Sequence, residues 1–194
     1  MLTFLKTAAA AALLALAPTH AAAIELGLSS DGEGIFLDGD FEAGNGDKFF
    51  NYLAEVQAQG YNIEWVLLNS PGGDVQAGMD IAQHIRNFGL KTAVLANEYC
   101  NSICTLAFSA GVERYVSPTA RIGVHSAYAI EGNEEGTGET PSAMATTMQI
   151  ARLMKSYDTP DFIIGRLVAT SGQDISTITP DEISESGWAG IMAD

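Results

Sequence analysis

Positive charge is what this chain has least of. Nine lysines and arginines stand against 24 aspartates and glutamates in 194 residues, a formal net charge of −15. Such a surface repels polyanions, and no basic patch with interleaved aromatics offsets it, so no nucleic-acid partner is expected. Neither a GxGxxG loop nor a Walker-type glycine loop occurs, which removes the usual nucleotide cradles. Cysteine is nearly absent: Cys100 and Cys104 are the only two, without the further ligands that complete a structural zinc site, so no metal is expected. No apolar stretch reaches the about 20 residues that a spanning helix needs, so no stable membrane anchor is expected either. Internal repeats are missing as well.

What is present begins with "MLTFLKTAAAAALLALAPTHAAA". It has one positive charge at Lys6, a ten-residue apolar run from Ala8 to Ala17, and small residues suited to cleavage near Ala21 or Ala23. Residues 1–23 therefore read as a secretory signal peptide, and 24–194 as a single domain with one core. Loss of Lys6 takes the charge from −15 to −16. The expected location is periplasmic or secreted. In that oxidising setting two cysteines four apart either pair or stay as two small buried thiols, and both readings stand at this point.

Short apolar runs alternate with helical stripes along the mature chain. "GIFLDGDF" (34–41) reads as a strand, followed by a helix near 46–59 with Phe49, Phe50, Leu53 and Val56 on one side. "IEWVLLNS" (63–70) is a buried strand that stops at "PGG". Asp74 N-caps the next helix, on which Val75, Met79, Ala82 and Ile85 recur until Gly89. "KTAVLA" (91–96) is a strand, a helix starts near Ser102, and "RYVSP" and "RIGVHSA" (121–127) supply further strands. This order predicts an α/β fold with a mainly parallel sheet. "EGNEEGTGET" (131–140) has four glutamates and three glycines and reads as a flexible acidic loop. Thr140 and Pro141 then open a helix striped by Ala143, Thr147, Ile150, Met154 and Tyr157. Thr179, Pro180 and Glu182 form a capping box on a short helix that Gly187 closes.

The chemistry gathers where strands end. Ser102 lies at the turn from a strand into a helix, where the hydroxyl sits at the sheet's carboxyl edge and the first helical N–H groups favour developing negative charge. A serine there is most often an N-cap. Two further elements favour a nucleophile: the "SPGG" turn (70–73), whose glycines let a backbone N–H approach an oxyanion, and His125 at the end of another strand. His20 falls in the leader, and His84 shares its helix with Asp80 on a solvated face.

"FLDGDF", "LLNSPGGDVQAGMDIAQHI", "CNSICTLAFSAGVERY" and "ARIGVHSA", in that order, resemble the Clp protease proteolytic subunit within the larger ClpP and crotonase superfamily, with a weaker match at "ITPDEISESGWAG". The resemblance implies stacked β-β-α units and a Ser-His-Asp serine peptidase acting on peptide or unfolded protein without a cofactor. It implies Ser102 as nucleophile, His125 as general base, and the N–H groups of Gly73 and Ile103 as the oxyanion hole. The third member is assigned to Asp174, with Asp158 and Asp161 in reserve. Exported relatives that use a Ser-Lys pair put Lys155 forward as an alternative base. The resemblance also implies a homo-oligomer, while an exported chain should meet no ATPase partner. The acidic loop falls where the family orders a strand beside the substrate, as a lid or as plain disorder. Two other functions compete: a degenerate ClpP-like module that binds peptides or proteins without cleaving them, and a crotonase-like thioester enzyme, which would need coenzyme A. A Cys100–Cys104 bridge would close a very small loop and act mainly by fixing the turn at Ser102.

Overall fold

The computed structural model describes residues 23–128 and 140–192. The expected signal peptide (1–23) and the expected acidic loop (131–140) lie outside the described residues except for Ala23 and Thr140. In chain order come β1 (Glu25–Leu28), β2 (Gly34–Asp38), α1 (Asn45–Ala58), β3 (Trp65–Asn69), α2 (Val75–Asn87), β4 (Lys91–Val94), β5 (Tyr99–Asn101) and α3 (Ile103–Ser109). Then follow β6 (Arg114–Val116), β7 (Arg121–Val124), α4 (Pro141–Ser156), α5 (Asp161–Ala169), β8 (Ser176–Ile178), α6 (Pro180–Ser186) and β9 (Gly190–Ile191).

The six-stranded sheet runs β1-β2-β3-β4-β6-β9, antiparallel only at β1 and β2. A smaller sheet, β5-β7-β8, pairs β5 with β7 in parallel and β8 against β7. The two meet where Ser70, just past β3, bridges Cys100 of β5. This is the mainly parallel α/β fold that the alternation of runs and stripes predicts.

Strand alternation decides which face carries the core. Ile35, Leu37, Val66 and Leu68 are fully buried, while Phe36 between two of them turns outward. Asp74 caps α2 by accepting from Ala77 N–H at 2.8 Å, and Gly89, with φ 64°, ends the helix as expected. Two glycines let helices approach closely: a Cβ on Gly46 would lie 2.4 Å from the Asp80 side chain, and one on Gly78 2.3 Å from Ile103 Cγ1. The second contact seats the first residue of α3, and every residue of that helix is buried. The Thr179–Glu182 capping box and the α4 stripe of Ala143, Thr147, Ile150, Met154 and Tyr157 are present, the stripe entirely buried.

Phe50 departs from the expected stripe. Positions 49, 53 and 56 face the core, but Phe50, about 100° further round the helix, is 40% exposed and stacks on His84 at 5.0 Å. β1, α5, β8 and β9 have no counterpart in the sequence reading, and the strand expected to lead into Ser102 is β5, separate from β4.

Candidate active site at the β5–α3 turn

Ser102 links β5 to α3 with φ 56° and ψ −129°, a backbone region costly for any residue with a Cβ. Its N–H donates to Gly123 O at 2.8 Å and its carbonyl accepts from Thr105 N–H at 3.0 Å. The Thr105 hydroxyl, fully buried, reaches both Cys100 O (3.1 Å) and Gly123 O (2.9 Å). The Ser102 side chain makes no capping bond, so its hydroxyl is not spent on the helix it precedes.

The Ser70–Gly73 turn lies against this elbow. Ser70 Oγ accepts from Gly72 N–H at 3.1 Å, and Gly72 has φ 99°. A Cβ there would fall 2.8 Å from Ser102 Cβ and 2.9 Å from Asn101 O, so only glycine allows the approach. Phe41 donates to Gly72 O and accepts from Asp74 N–H, both at 2.7 Å, as a parallel bridge centred on Gly73. In a parallel bridge the central residue's own N–H and C=O point away from the partner strand. The Gly73 N–H is therefore directed away from Phe41. Among the described residues neither it nor the Ile103 N–H donates to a protein acceptor.

Strand pairing brings the histidine to the same edge. β5 and β7 run parallel with Asn101 opposite Gly123, so Ser102 and His125 leave adjacent strands at one end. Both are half-buried, and no hydrogen bond joins them. His125 Nδ1 lies 2.8 Å from Ser126 O. With the proton on Nδ1, that contact leaves Nε2 as the acceptor of a neutral ring.

The carboxylates fall differently. β8 pairs with β7 with Val124 opposite Ser176, so the chain just before Ser176 folds back over 123–128. Ser126 N–H donates to Thr170 O at 2.9 Å, and the Ile175 side chain occupies the space a Gly123 side chain would fill. Asp174 belongs to this segment; it is exposed and makes no hydrogen bond to His125. Asp161 pairs with Lys155 at 2.5 Å on the surface of the α4–α5 turn, which commits that lysine as well. Asp158, with φ 59°, lies in the same turn. Near the start of β5, burial and the neighbouring Asp38 raise the Glu98 carboxyl above its usual range.

Cys100 and Cys104 form a disulfide with Cα atoms 5.2 Å apart, both fully buried, so of the two readings the bridge holds. Beside His125, a cavity of about 240 Å³ is lined by Ser126, Ala127, Met144, Thr147, Met148 and Val168. Its wall is fixed by Thr147, whose hydroxyl accepts from Ala127 N–H at 2.9 Å and donates to Ala143 O at 3.0 Å. A larger open groove of about 740 Å³ between β1 and α1 shares no residue with the elbow.

The sequence reading missed Thr105 and Gly123, which hold the elbow. An isolated glycine inside a strand pattern, as in "RIGVH", is the available signal of close approach.

A family model for Clp protease matches residues 19–161. The chain belongs to the Clp protease family. Comparison with curated proteins gives no match. The region shared with Clp proteases includes the glycine turn, the Ser102 elbow and His125, and it ends before Asp174. At the level of that family the chain is a ClpP-like peptidase.

Proposed function

We propose that this member of the Clp protease family is an exported serine endopeptidase that forms an acyl-enzyme on Ser102. The observation that carries the reading is the Ser102 hydroxyl, free of any capping bond at a strained elbow, next to two backbone N–H groups that no acceptor among the described residues claims.

Ser102 Oγ attacks the carbonyl carbon of the scissile peptide while His125 Nε2 takes the hydroxyl proton. The oxyanion that forms is held by the N–H groups of Gly73 and Ile103, each worth on the order of 3 kcal/mol in such a role. Collapse returns the proton from His125 to the leaving amine. Water, deprotonated by the same ring, then frees the acyl group and restores Ser102.

His125 needs a third group to orient it, and the acid is assigned to Asp174, the carboxylate in the segment that β8 folds back over β7. Such bonds are often loose before substrate binds. Asp174→Asn should lower kcat by about 10³-fold or more. A loss under about tenfold would leave orientation to the Ser126 carbonyl and make the site a Ser-His dyad.

The leader supports export to a periplasmic or extracellular setting, without an ATPase partner. Family membership supports a homo-oligomer acting on peptide or unfolded protein.

A second reading rests on the missing hydrogen bonds from His125 to Ser102 and to Asp174: a ClpP-like groove that binds peptides without cleaving them. A fluorophosphonate probe on the purified mature protein separates the two. Ser102 should be the labelled residue, Ser102→Ala and His125→Ala should abolish labelling, and Lys155→Ala should label normally. Folded protein that takes no label would favour the binding module.

A further inference from the structure

The disulfide sits where it has little to do for the fold as a whole. Cys100 is already held in β5, paired with Ile122 of β7 and bridged to Ser70. Cys104 is already held in α3, which is buried along its whole length and seated on Gly78 through Ile103. Only Asn101, Ser102 and Ile103 lie between the two sulfur-bearing residues. The covalent link therefore encloses the strained residue and one of the two unclaimed N–H groups, and almost nothing else.

We propose that the Cys100–Cys104 bridge is a positioning element of the Ser102 site, set once during folding, which holds the elbow in its reactive geometry. The proposal rests on the peptidase reading above. The backbone at Ser102 has φ 56° and ψ −129°, and rotation of the Ser102–Ile103 peptide would relieve it. That rotation would swing the Ile103 N–H away from the oxyanion position. One hydrogen bond, from Thr105 N–H to Ser102 O at 3.0 Å, opposes it directly. The bridge ties Cys100, the middle residue of β5, to Cys104, the second residue of α3, and ring closure limits the backbone rotations open to the three residues between them. Because the loop it closes is so short, it constrains the unfolded chain little, and its effect is local.

Burial fixes when the bridge acts. Both cysteines are fully buried, so a reductant in solution does not meet the sulfurs in the folded protein. The bridge forms when a small disulfide oxidant takes the two thiol protons and two electrons as the chain folds, and it then stays. A chain that folds under reducing conditions adopts the same architecture with an elbow free to relax. Nothing outside the bridged segment changes with it: the cavity residues Ser126, Ala127, Met144, Thr147, Met148 and Val168 belong to other elements.

The test compares three folded preparations of the mature protein: oxidised wild type, wild type refolded and kept in a phosphine reductant, and Cys100→Val/Cys104→Ala. Far-ultraviolet circular dichroism checks the fold, intact mass after alkylation counts the thiols, and amide hydrogen exchange reads residues 101–105. The reduced and substituted forms should keep the native spectrum and a KM within about twofold of the oxidised enzyme, with kcat and fluorophosphonate labelling down by about 10- to 100-fold. Exchange at 101–105 should rise while the rest of α3 stays protected. Unfolding the reduced form and refolding it with glutathione disulfide should restore kcat, whereas glutathione disulfide added to the folded reduced protein should not. An unchanged kcat in the reduced form would overturn the proposal, and so would a reduced chain that fails to fold, since the bridge would then hold the domain rather than the site. Oxidised protein that neither labels nor cleaves would sink the peptidase reading instead. The hydrogen exchange would still judge the bridge: unchanged exchange at 101–105 overturns it whatever the activity.

Discussion

Glycine at position 72 is set by what surrounds it, and that makes a sharp comparison with another glycine. Gly44 also has a left-handed backbone (φ 87°), but a Cβ there would meet nothing within 4 Å. Gly44→Ala should therefore cost about 1–2 kcal/mol of stability and leave the site alone. Gly72→Ala has the same backbone penalty, and its methyl would also meet Ser102 Cβ at 2.8 Å and Asn101 O at 2.9 Å, so the elbow must move. Fluorophosphonate labelling should fall by about 100-fold in Gly72→Ala and stay at the wild-type rate in Gly44→Ala. Equal labelling of the two variants would contradict the close packing of turn and elbow. At this scale the sequence shows the reactive groups and hides their support. Ser102, His125 and the glycine pair carry recognisable chemistry at recognisable spacing. Thr105 and Gly123 matter through partners 18 residues apart, and nothing local announces that one buried hydroxyl spans two carbonyls.

Elements were legible in proportion to how much of their own stability they carry. α2 and α4 show caps and apolar stripes that local rules read correctly, whereas β5, β8 and β9 have two or three residues each and exist because a neighbour pairs with them. α5 buries only Ile163 and Leu167, too few for a stripe, and its one carboxylate, Asp161, drew notice only as a reserve acid. What ties α5 to the next helix is a bidentate ion pair: Arg166 in its last turn grips Glu182 in the first turn of α6. That guanidinium, with the Thr179 N–H, holds the Glu182 carboxyl down to about 2 from an ordinary 4.5. A carboxyl depressed in the folded state stabilises fully above its unfolded value and loses that contribution as pH falls toward its folded one. The Tm difference between wild type and Glu182→Gln should be constant from pH 7 to about 5 and should close between about 4.5 and 2. Its size stays modest, about 1 kcal/mol or less, because both side chains are about a third exposed. A difference that persists at pH 2 would contradict the ion pair.

Over the whole molecule, the apolar stripe of α4 turns out to be covered by the chain itself, so an interface cannot be built from it. The neighbouring line is another matter: Met144 and Met148 on α4 are 60% and 54% exposed, and Val168 on α5 is 54% exposed around the same cavity. Apolar side chains gathered this way mark a contact surface. For a chain with a net charge of −15, association must also overcome like-charge repulsion. Salt screens that repulsion and leaves apolar contact intact, since the Debye length falls from about 30 Å at 0.01 M to about 3 Å at 1 M. The mature protein should therefore sediment as a homo-oligomer at micromolar concentration, shift toward monomer when ionic strength is lowered, and return as salt is added. Met148→Lys should shift the equilibrium toward monomer at every salt concentration, because it buries an unpaired charge in the contact. Wild-type protein that sediments only as monomer in high salt would remove this face as an interface. Association that weakens as salt is raised would mean that charge pairing, and not the methionine line, joins the copies.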